Sequence, residues 1–279
     1  MQLISHGDRL QTGRYEIHSR FRHAVNFTDG GSLACLADES TGSGPFHLII
    51  RGLDTTNVQS LRIDGPMAFI DGASLTLDPA LSYRSLIDVG PDIGSDVVNG
   101  NVKKFWESLL SAASEKSLAH VLDRVKKRRA AATFEQHLTE RFEKATAHIL
   151  QGRLADGAAM FKGTGYGLTP AGDDFNTGLL LSLNIIQKLE RADHSDTIAA
   201  VYRAAIGTNL ISNASLTCAR DGRTFEKMKR AVESVLHGDG EGRFLSVKEL
   251  LNVGETSGAD MGTGFYFGMK NLLGSAQWR

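Results

Sequence analysis

Two adjacent carboxylates close a glycine-rich segment in the middle of the chain. The stretch GTGYGLTPAGDDFNTG, residues 163–178, contains five glycines and continues directly into the apolar sequence LLLSLNII. Its carboxylates are Asp173 and Asp174. A glycine-rich loop that enters a helix leaves backbone N–H groups open to a small anion. Because the two carboxylates would repel a phosphate, they indicate a site that also holds a cation such as Mg²⁺, or the amino and hydroxyl donors of a ligand.

The loop differs from the common nucleotide-binding loops. It lacks the GK(S/T) ending of a Walker-type loop. It also does not fit a Rossmann fingerprint, because the spacing to the last glycine is wrong and a helical pattern rather than a strand precedes the loop. The residues of this segment that we predict to bind a substrate are Gly163, Gly165, Gly167 and Thr169.

A second segment near the C-terminus repeats the core of the first. In GETSGADMGTGFYFG, residues 254–268, the run 258–265 aligns with 172–179 in the pattern Gly-x-Asp-apolar-x-Thr-Gly-apolar. Asp260 occupies the position of Asp174. Asp and Thr three residues apart lie on one face of a helix. Glycine inside a helix costs roughly 1 kcal/mol relative to alanine, so its repeated placement indicates close helix–helix contact.

Two interpretations of this repeat remain open. In the first, two helix N-termini meet and direct Asp174 and Asp260 into one pocket. There they are the predicted ligands of Mg²⁺ and, with Asp173, the predicted catalytic residues, while Ser257 and Gly258 bind substrate. In the second, glycine-packed helices form a dry, closed junction, and the aspartates only complement the positive ends of the helix dipoles.

A third segment supplies small polar side chains. In TNLISNASLTCA, residues 208–219, hydroxyl and amide groups recur near one helical face. Such groups suit a carboxylate or carboxamide ligand, and we predict Asn209 and Ser212 as substrate-binding residues. The same small residues also fit a packing seam between helices.

The elements that must position these residues change character near residue 100. Before it, short apolar runs end at turn signals, and Asp71-Gly72 stands between two extended runs as a hairpin signal. After it, apolar residues recur at helical spacing. We therefore predict an α+β protein with a β-rich domain over 1–100, a small barrel or sandwich, and a mainly helical domain over 101–279.

Two helix ends in the second domain are predicted from local signals. Thr169 suits an N-cap and Pro170 a first helical residue, so the helix that carries the paired aspartates is expected to begin there. The basic run at 126–129 is expected to close another helix, where cations favour the carbonyl end of the dipole.

Composition excludes several classes of protein. The chain has 279 residues with 31 Lys and Arg against 32 Asp and Glu, a formal charge of -1. No strong field therefore favours nucleic acid or a membrane surface. We see no secretory signal and no apolar run long enough to cross a bilayer. Cys35 and Cys218 form neither a CxxC pair nor a disulfide framework, so we expect a cytoplasmic protein.

The two motifs together resemble a known family. The combination GxGxGLTPxGDDF followed by G-x-(S/T)-S-G-x-D resembles the family of the AllH-type subunit of oxamate carbamoyltransferase, long classed as a domain of unknown function. The resemblance is close over 163–178 and good over 254–264. This chain has Glu255 where members commonly carry histidine, and Asn176 and Thr177 where many carry leucine and a small residue.

The resemblance implies an activity and protein partners. It implies anaerobic purine and allantoin degradation, in which a multi-subunit enzyme interconverts oxalurate and phosphate with oxamate and carbamoyl phosphate. The partner subunits resemble CoA-ligase-like proteins, and a homo-oligomer is the other expectation. Carbamoyl phosphate suits a glycine loop, and oxamate offers an amide to carboxylates. The opposing hypothesis is a non-catalytic subunit that binds a ligand or serves as a scaffold.

Overall fold

Two compact units make up the described part of the chain. The structure is a computed structural model that describes residues 1–90, 93–123, 133–238 and 240–275. The first unit comprises Met1–Leu86 and Thr224–Glu226, and the second comprises Ile87–Arg223 and Lys227–Arg279. The basic run at 126–129 lies outside the described residues. The domain division into 1–100 and 101–279 stays a prediction.

The first unit is built on one sheet of nine strands that curls into a half-barrel. The strands are β1 (Gln2–Gly7), β2 (Gly13–Arg20), β3 (Ala24–Thr28), β4 (Leu33–Ala37), β5 (His47–Arg51), β6 (Leu61–Asp64), β7 (Met67–Ile70), β8 (Ala73–Thr76) and β9 (Ser82–Tyr83). Their order in the sheet is β8-β7-β6-β2-β3-β4-β5-β1-β9, with parallel pairs only at β4–β5 and β1–β9 among the described strands. The predicted fold class, β-rich and then helical, is confirmed.

The alternation of side chains explains why the middle of this sheet is buried on both faces. Successive residues of a strand point to opposite faces. Leu36 and Leu48 accordingly pack into the larger core cluster, whereas Cys35 and Ile49 pack into a smaller one. The predicted hairpin is also confirmed, because Ile70 pairs with Ala73 across Asp71-Gly72 and both turn residues have positive φ, 49° and 86°.

In the second unit, the described residues form helices joined by loops. Its helices are α1 (Ser95–Ala112), α2 (Leu118–Leu122), α3 (Thr133–Leu150), α4 (Leu154–Phe161), α5 (Ala171–Glu190), α6 (Ser195–Ala205), α7 (Leu210–Arg220), α8 (Glu226–His237, whose first residue belongs to the first unit), α9 (Gly240–Leu251) and α10 (Ser257–Ser275). Among the described residues, no helix combines the length and the hydropathy that crossing a membrane requires.

Helix α5 is the central element of this unit. Every residue from Gly172 to Ile186 is buried, so the helix is covered on all sides. It packs most extensively against α10 and also contacts α4, α6 and α7. A helix that is apolar around its whole circumference belongs in a core. The glycine-rich segment therefore leads directly into a helix that is buried from Gly172 to Ile186.

Candidate functional site

The N-termini of α5 and α10 meet, which is compatible with both interpretations of the repeat. The Oγ atoms of Thr169, just before α5, and Ser257, the first residue of α10, lie 3.3 Å apart. Contacts then advance together along both helices, from Phe175 with Gly264 to Ser182 with Gly268. The two helices therefore run parallel, and their positive dipole ends lie at the same end of the pair.

The paired glycines bring the two helix backbones into direct contact. A Cβ on Gly178 would lie 1.9 Å from the carbonyl oxygen of Met261. A Cβ on Gly264 would lie 1.9 Å from the carbonyl oxygen of Phe175, at the corresponding position of the other helix. No side chain fits at either place. The close helix–helix contact predicted from the repeated glycines is present.

Asp174 lies between the two N-termini and is almost completely buried, with 2% of its surface exposed. Its Oδ2 accepts a 2.9 Å hydrogen bond from the Thr169 hydroxyl. Burial raises the pKa of Asp174 well above its usual value, and the nearby charge of Asp260 adds to the rise. The hydroxyls of Ser257 and Thr169 oppose that rise. Carboxylates from two distant segments are thus close enough to affect each other.

Asp260 is fully buried and only partly bonded. Its Oδ1 accepts a 2.7 Å hydrogen bond from the backbone N–H of Leu118, the first residue of α2. Within the part of the chain that the structure describes, its Oδ2 has no hydrogen-bond partner. Burial raises the pKa of Asp260 to about 7, against the opposing effects of the Leu118 amide and the Thr256 hydroxyl. This carboxyl is therefore close to half-protonated at neutral pH.

Asp173 faces the glycine loop rather than the carboxylate pair. Its Oδ1 accepts a 2.7 Å hydrogen bond from the backbone N–H of Gly163, so a buried carboxylate holds the start of the loop. In the second copy of the motif the corresponding residue is Ala259. The loop-holding carboxylate thus belongs to the first copy alone.

The glycines of the loop adopt conformations that other residues rarely tolerate. The φ angles of Gly163, Gly165 and Gly167 are 64°, 107° and 109°. A Cβ on Gly165 would lie 2.9 Å from the Cβ of Ala171, so the loop backbone presses against the first turn of α5.

The predicted start of this helix is wrong by one residue. Helix α5 begins at Ala171 with Pro170 as its N-cap residue, and no side chain caps it. The Thr169 hydroxyl, predicted as the cap, is instead hydrogen-bonded to Asp174. The hydroxyl thus donates to a buried carboxyl and accepts from none of the backbone amides at the start of α5.

The remaining predicted substrate-binding residues lie around this junction. Asn209 caps α7 by accepting from the Ser212 amide, and its own amide group donates to the Leu168 carbonyl at 2.7 Å. The third segment is therefore attached to the glycine loop. Ser212 is buried, and its Oγ has no hydrogen-bond partner among the described residues. A Cβ on Gly258 would lie 1.9 Å from the carbonyl oxygen of Leu250, which makes this glycine a close-packing position.

The described residues give little support to a metal centre or to a reactive thiol. Within those ranges, no three or more His, Cys, Asp or Glu side chains gather as in a metal centre. A Mg²⁺ ion held by Asp174 and Asp260 stays a prediction. Both cysteines are buried and neither is in a disulfide, and burial raises the pKa of the Cys35 thiol to about 12.

A cleft of about 380 Å³ at the glycine loop was missed from the sequence. It is lined by the loop itself and by His137, Arg141 and Lys162. His137 and Arg141 are four residues apart and so share one face of α3, which is the only sequence signal that points to them. Nothing in the sequence relates that face to Lys162, because their proximity depends on how α3 packs against α4.

Two family models match the chain. The model described as oxamate carbamoyltransferase subunit AllH matches residues 161–269, and the model described as the AllH family N-terminal domain matches residues 1–84. A search of solved structures found no match to this chain. The first of the two matched ranges contains the glycine loop, both aspartate motifs and the α7 segment.

Proposed function

The chain belongs to the AllH family, and we propose that it functions as a subunit of an oxamate carbamoyltransferase-type enzyme. The proposed reaction converts oxalurate and phosphate into oxamate and carbamoyl phosphate, within allantoin and purine degradation. The observation that carries the proposal is the family match over 161–269, the range in which α5 and α10 bring the two aspartate motifs together. Other protein subunits are the partners that the description of the family supports.

The half-buried hydroxyls of Thr169 and Ser257 are the groups best placed to meet a ligand. Both residues retain some exposure, whereas Asp174 and Asp260 beneath them are 2% and 0% exposed. Asp174 fixes the Thr169 hydroxyl by accepting its proton in a hydrogen bond. In this proposal the hydroxyls contact the carboxylate or carboxamide of the substrate, and Asp174 acts as a positioning residue.

Asp260 contributes a carboxyl group that changes protonation near neutral pH. With a pKa of about 7, it is able to donate a hydrogen bond when protonated and to accept one when ionised. Its Oδ2, Ser212 Oγ and Asn176 Oδ1 are three buried atoms without a partner among the described residues. Unpartnered buried atoms mark places where a ligand or water completes the hydrogen bonding. We propose that substrate binding completes it for Asp260.

The strongest alternative is a subunit that binds without catalysing. The near-complete burial of both carboxyls favours it, because a group that takes part in the reaction must touch the substrate. The two alternatives differ in what a carboxyl substitution removes: turnover in the enzyme, and only affinity in the binding subunit.

Oxamate is the probe that tests the substrate assignment. The melting temperature of the full chain is measured with oxamate, and separately with Mg²⁺, for the wild type, Thr169→Val, Ser257→Ala and Asp174→Asn. Asp196→Asn serves as the control, since Asp196 is an exposed carboxylate in the first turn of another helix. A ligand at one hundred times its Kd stabilises the native state by about 2.7 kcal/mol.

We expect oxamate to raise the melting temperature of the wild type and of Asp196→Asn, and to leave the other three variants unchanged. The same variants are then assayed for oxalurate formation from oxamate and carbamoyl phosphate, together with the subunits that co-purify with the wild type. Turnover that survives in Asp174→Asn with weaker oxamate binding supports the binding subunit. No turnover and no oxamate response in the wild-type complex contradict the proposed function.

A further inference from the structure

The cleft beside the glycine loop has walls of two kinds. One wall is the exposed face of α3 that carries His137 and Arg141, and the other is Lys162 with the loop residues 163–166. Its volume of about 380 Å³ is in the range of small-molecule sites. None of its described lining residues is an aspartate or a glutamate. Its described lining therefore combines basic side chains with backbone amides.

Of the two cations that line the cleft, Arg141 is anchored by a backbone hydrogen bond and Lys162 is exposed. Nε of Arg141 donates a 2.8 Å hydrogen bond to the Met160 carbonyl, which ties the guanidinium to the end of α4. The stem of Lys162 lies near Gly207, where a Cβ would be 3.6 Å from the lysine Cγ. Neither cation forms an ion pair with any residue in the described ranges. Both charges thus remain available to an anion.

The loop adds backbone donors to these charges. Gly163, Gly165 and Gly167 have positive φ angles, which glycine adopts without the steric cost that other residues have. Asp173 occupies the Gly163 amide, but no described residue accepts from the amide of Gly165. Gly165 also packs on Ala171 at the N-terminus of α5, where the helix dipole favours negative charge.

We propose that this cleft binds the phosphate group of a small ligand. Arg141 and Lys162 neutralise its charge, and the Gly165 amide donates to one of its oxygens. A planar guanidinium fixed at Nε presents its other N–H groups to two phosphate oxygens, and an ammonium group supplies a point charge. His137 lines the same wall one helical turn from Arg141 and adds a third donor.

Not all of the buried carboxyls near the loop carry a full negative charge. Burial raises the pKa of Asp260 to about 7 and also raises the pKa of Asp174, while Asp173 is engaged on the Gly163 amide. Identifying the ligand as carbamoyl phosphate rests on the proposed function. The inference that the cleft binds inorganic phosphate is independent of that function.

Inorganic phosphate is the probe for the cleft. Its Kd is measured by titration calorimetry on the full chain at constant ionic strength, for the wild type, Arg141→Gln, Lys162→Gln and Lys144→Gln. Lys144 is the matched control, because it is an exposed cation one turn further along α3 that does not line the cleft. We expect at least a tenfold rise in Kd for Arg141→Gln and Lys162→Gln, and less than a twofold change for Lys144→Gln.

Three outcomes overturn the inference: no phosphate binding by the wild type, equal losses in all three variants, or no loss in Arg141→Gln and Lys162→Gln. Circular dichroism confirms that each variant is folded. The inference and the proposed function fail separately. Phosphate binding with the expected pattern in a complex that transfers no carbamoyl group keeps the cleft and removes the function. If the complex transfers the carbamoyl group and Arg141→Gln has an unchanged KM for carbamoyl phosphate, the proposed function stands and the cleft is not the site of that phosphate.

Discussion

The two copies of the glycine–aspartate motif agree closely in how they pack. The first glycine of each copy lies against the end of the preceding helix, Gly172 on the Phe161 carbonyl and Gly258 on the Leu250 carbonyl. The threonine of each copy donates to the carbonyl four residues before it, at 3.0 Å in Thr177 and 2.7 Å in Thr263. The residues that the copies share therefore form a parallel pair of helices in backbone contact.

The copies differ in the segment that leads into each helix. Residues 162–170 precede α5 and include three glycines with positive φ, whereas residues 252–256 precede α10 and include one, Gly254. Only the longer loop has a carboxylate, Asp173, bonded to its first amide, and only this loop lines a cleft with Arg141 and Lys162. These features are not needed to pack the helices, because α10 packs without them.

This contrast separates architecture from chemistry. Features present in both copies are explained by the contact between α5 and α10. Features present in one copy need another reason, and ligand binding supplies it. Asp174 and Asp260 belong to both groups: they stand at equivalent positions beside two positive helix ends, yet Asp174 is bonded to a half-exposed hydroxyl and Asp260 to a buried amide.

The largest expected effect comes from the shared glycines. Gly178→Ala and Gly264→Ala each place a Cβ 1.9 Å from a backbone carbonyl of the other helix, which only a separation of the helices relieves. We expect each to lower the free energy of unfolding by about 4 kcal/mol or more, since overpacking against backbone exceeds the usual cost of overpacking. Urea unfolding followed by circular dichroism measures it.

Gly100→Ala in α1 is the control for this pair, because a Cβ there meets nothing within 4 Å. An exposed helical glycine replaced by alanine is expected to stabilise the protein by roughly 0.5–1 kcal/mol. If Gly178→Ala and Gly264→Ala lower the free energy of unfolding by clearly different amounts, the packing of the two copies is not equivalent. If both resemble Gly100→Ala, the backbones are not in contact.

The next effect is the pH dependence caused by Asp260. Its pKa is raised from 3.8 to about 7 in the folded protein, so the folded state binds the proton more tightly than the unfolded state. The contribution to stability is complete below the unfolded-state pKa and is lost as pH rises through about 7. Between pH 5 and pH 8 the wild type should therefore lose about 3 kcal/mol relative to Asp260→Asn.

Urea unfolding at both pH values measures this difference, with Asp196→Asn as the control that should follow the wild type. Asn matches the neutral aspartic acid in size, so the comparison isolates ionisation. Asp174→Asn should deviate in the same direction, because burial also raises the pKa of Asp174. If the wild type instead gains stability relative to Asp260→Asn as the pH rises to 8, burial does not raise the pKa of Asp260.

The features that could be predicted from the sequence are those with a signal in a short segment of the chain. The Asp71-Gly72 hairpin follows from two adjacent residues that tolerate positive φ, and α5 follows from a long apolar run. The repeated Gly, Asp and Thr positions also predict that α5 and α10 meet, because glycine in a helix has few other uses. Each of these signals lies within one short segment.

The unpredicted contacts join segments that carry no common pattern. The Leu118 amide reaches Asp260 from α2, a helix of five residues that is too short for a periodic signal. The position of β2 between β6 and β3 in the sheet depends on pairings across loops of different length. Arg141 and Lys162 come together only through the packing of α3 on α4. Such contacts are properties of the folded chain, not of any one segment.

The substitutions with the smallest expected effect on stability distinguish best between the loop before α5 and the loop before α10. Gly163 and Gly254 have nearly the same φ, 64° and 62°, so alanine at either position should cost about 1 kcal/mol of unfolding free energy. A Cβ on Gly163 meets nothing within 4 Å, and one on Gly254 lies 3.1 Å from the flexible Ser257 hydroxyl. Neither substitution therefore adds a severe clash.

Their effects on phosphate binding should differ despite this equal strain. Gly163→Ala disturbs the start of the loop that lines the cleft, and we expect it to raise the Kd for inorganic phosphate severalfold in the calorimetric titration. Gly254→Ala strains a loop with no cationic cleft, so its Kd should match the wild type. Equal Kd values for the two variants would mean that the longer loop, like the shorter one, only connects helices. A difference confined to Gly163→Ala would assign the ligand site to the copy that carries the additional glycines.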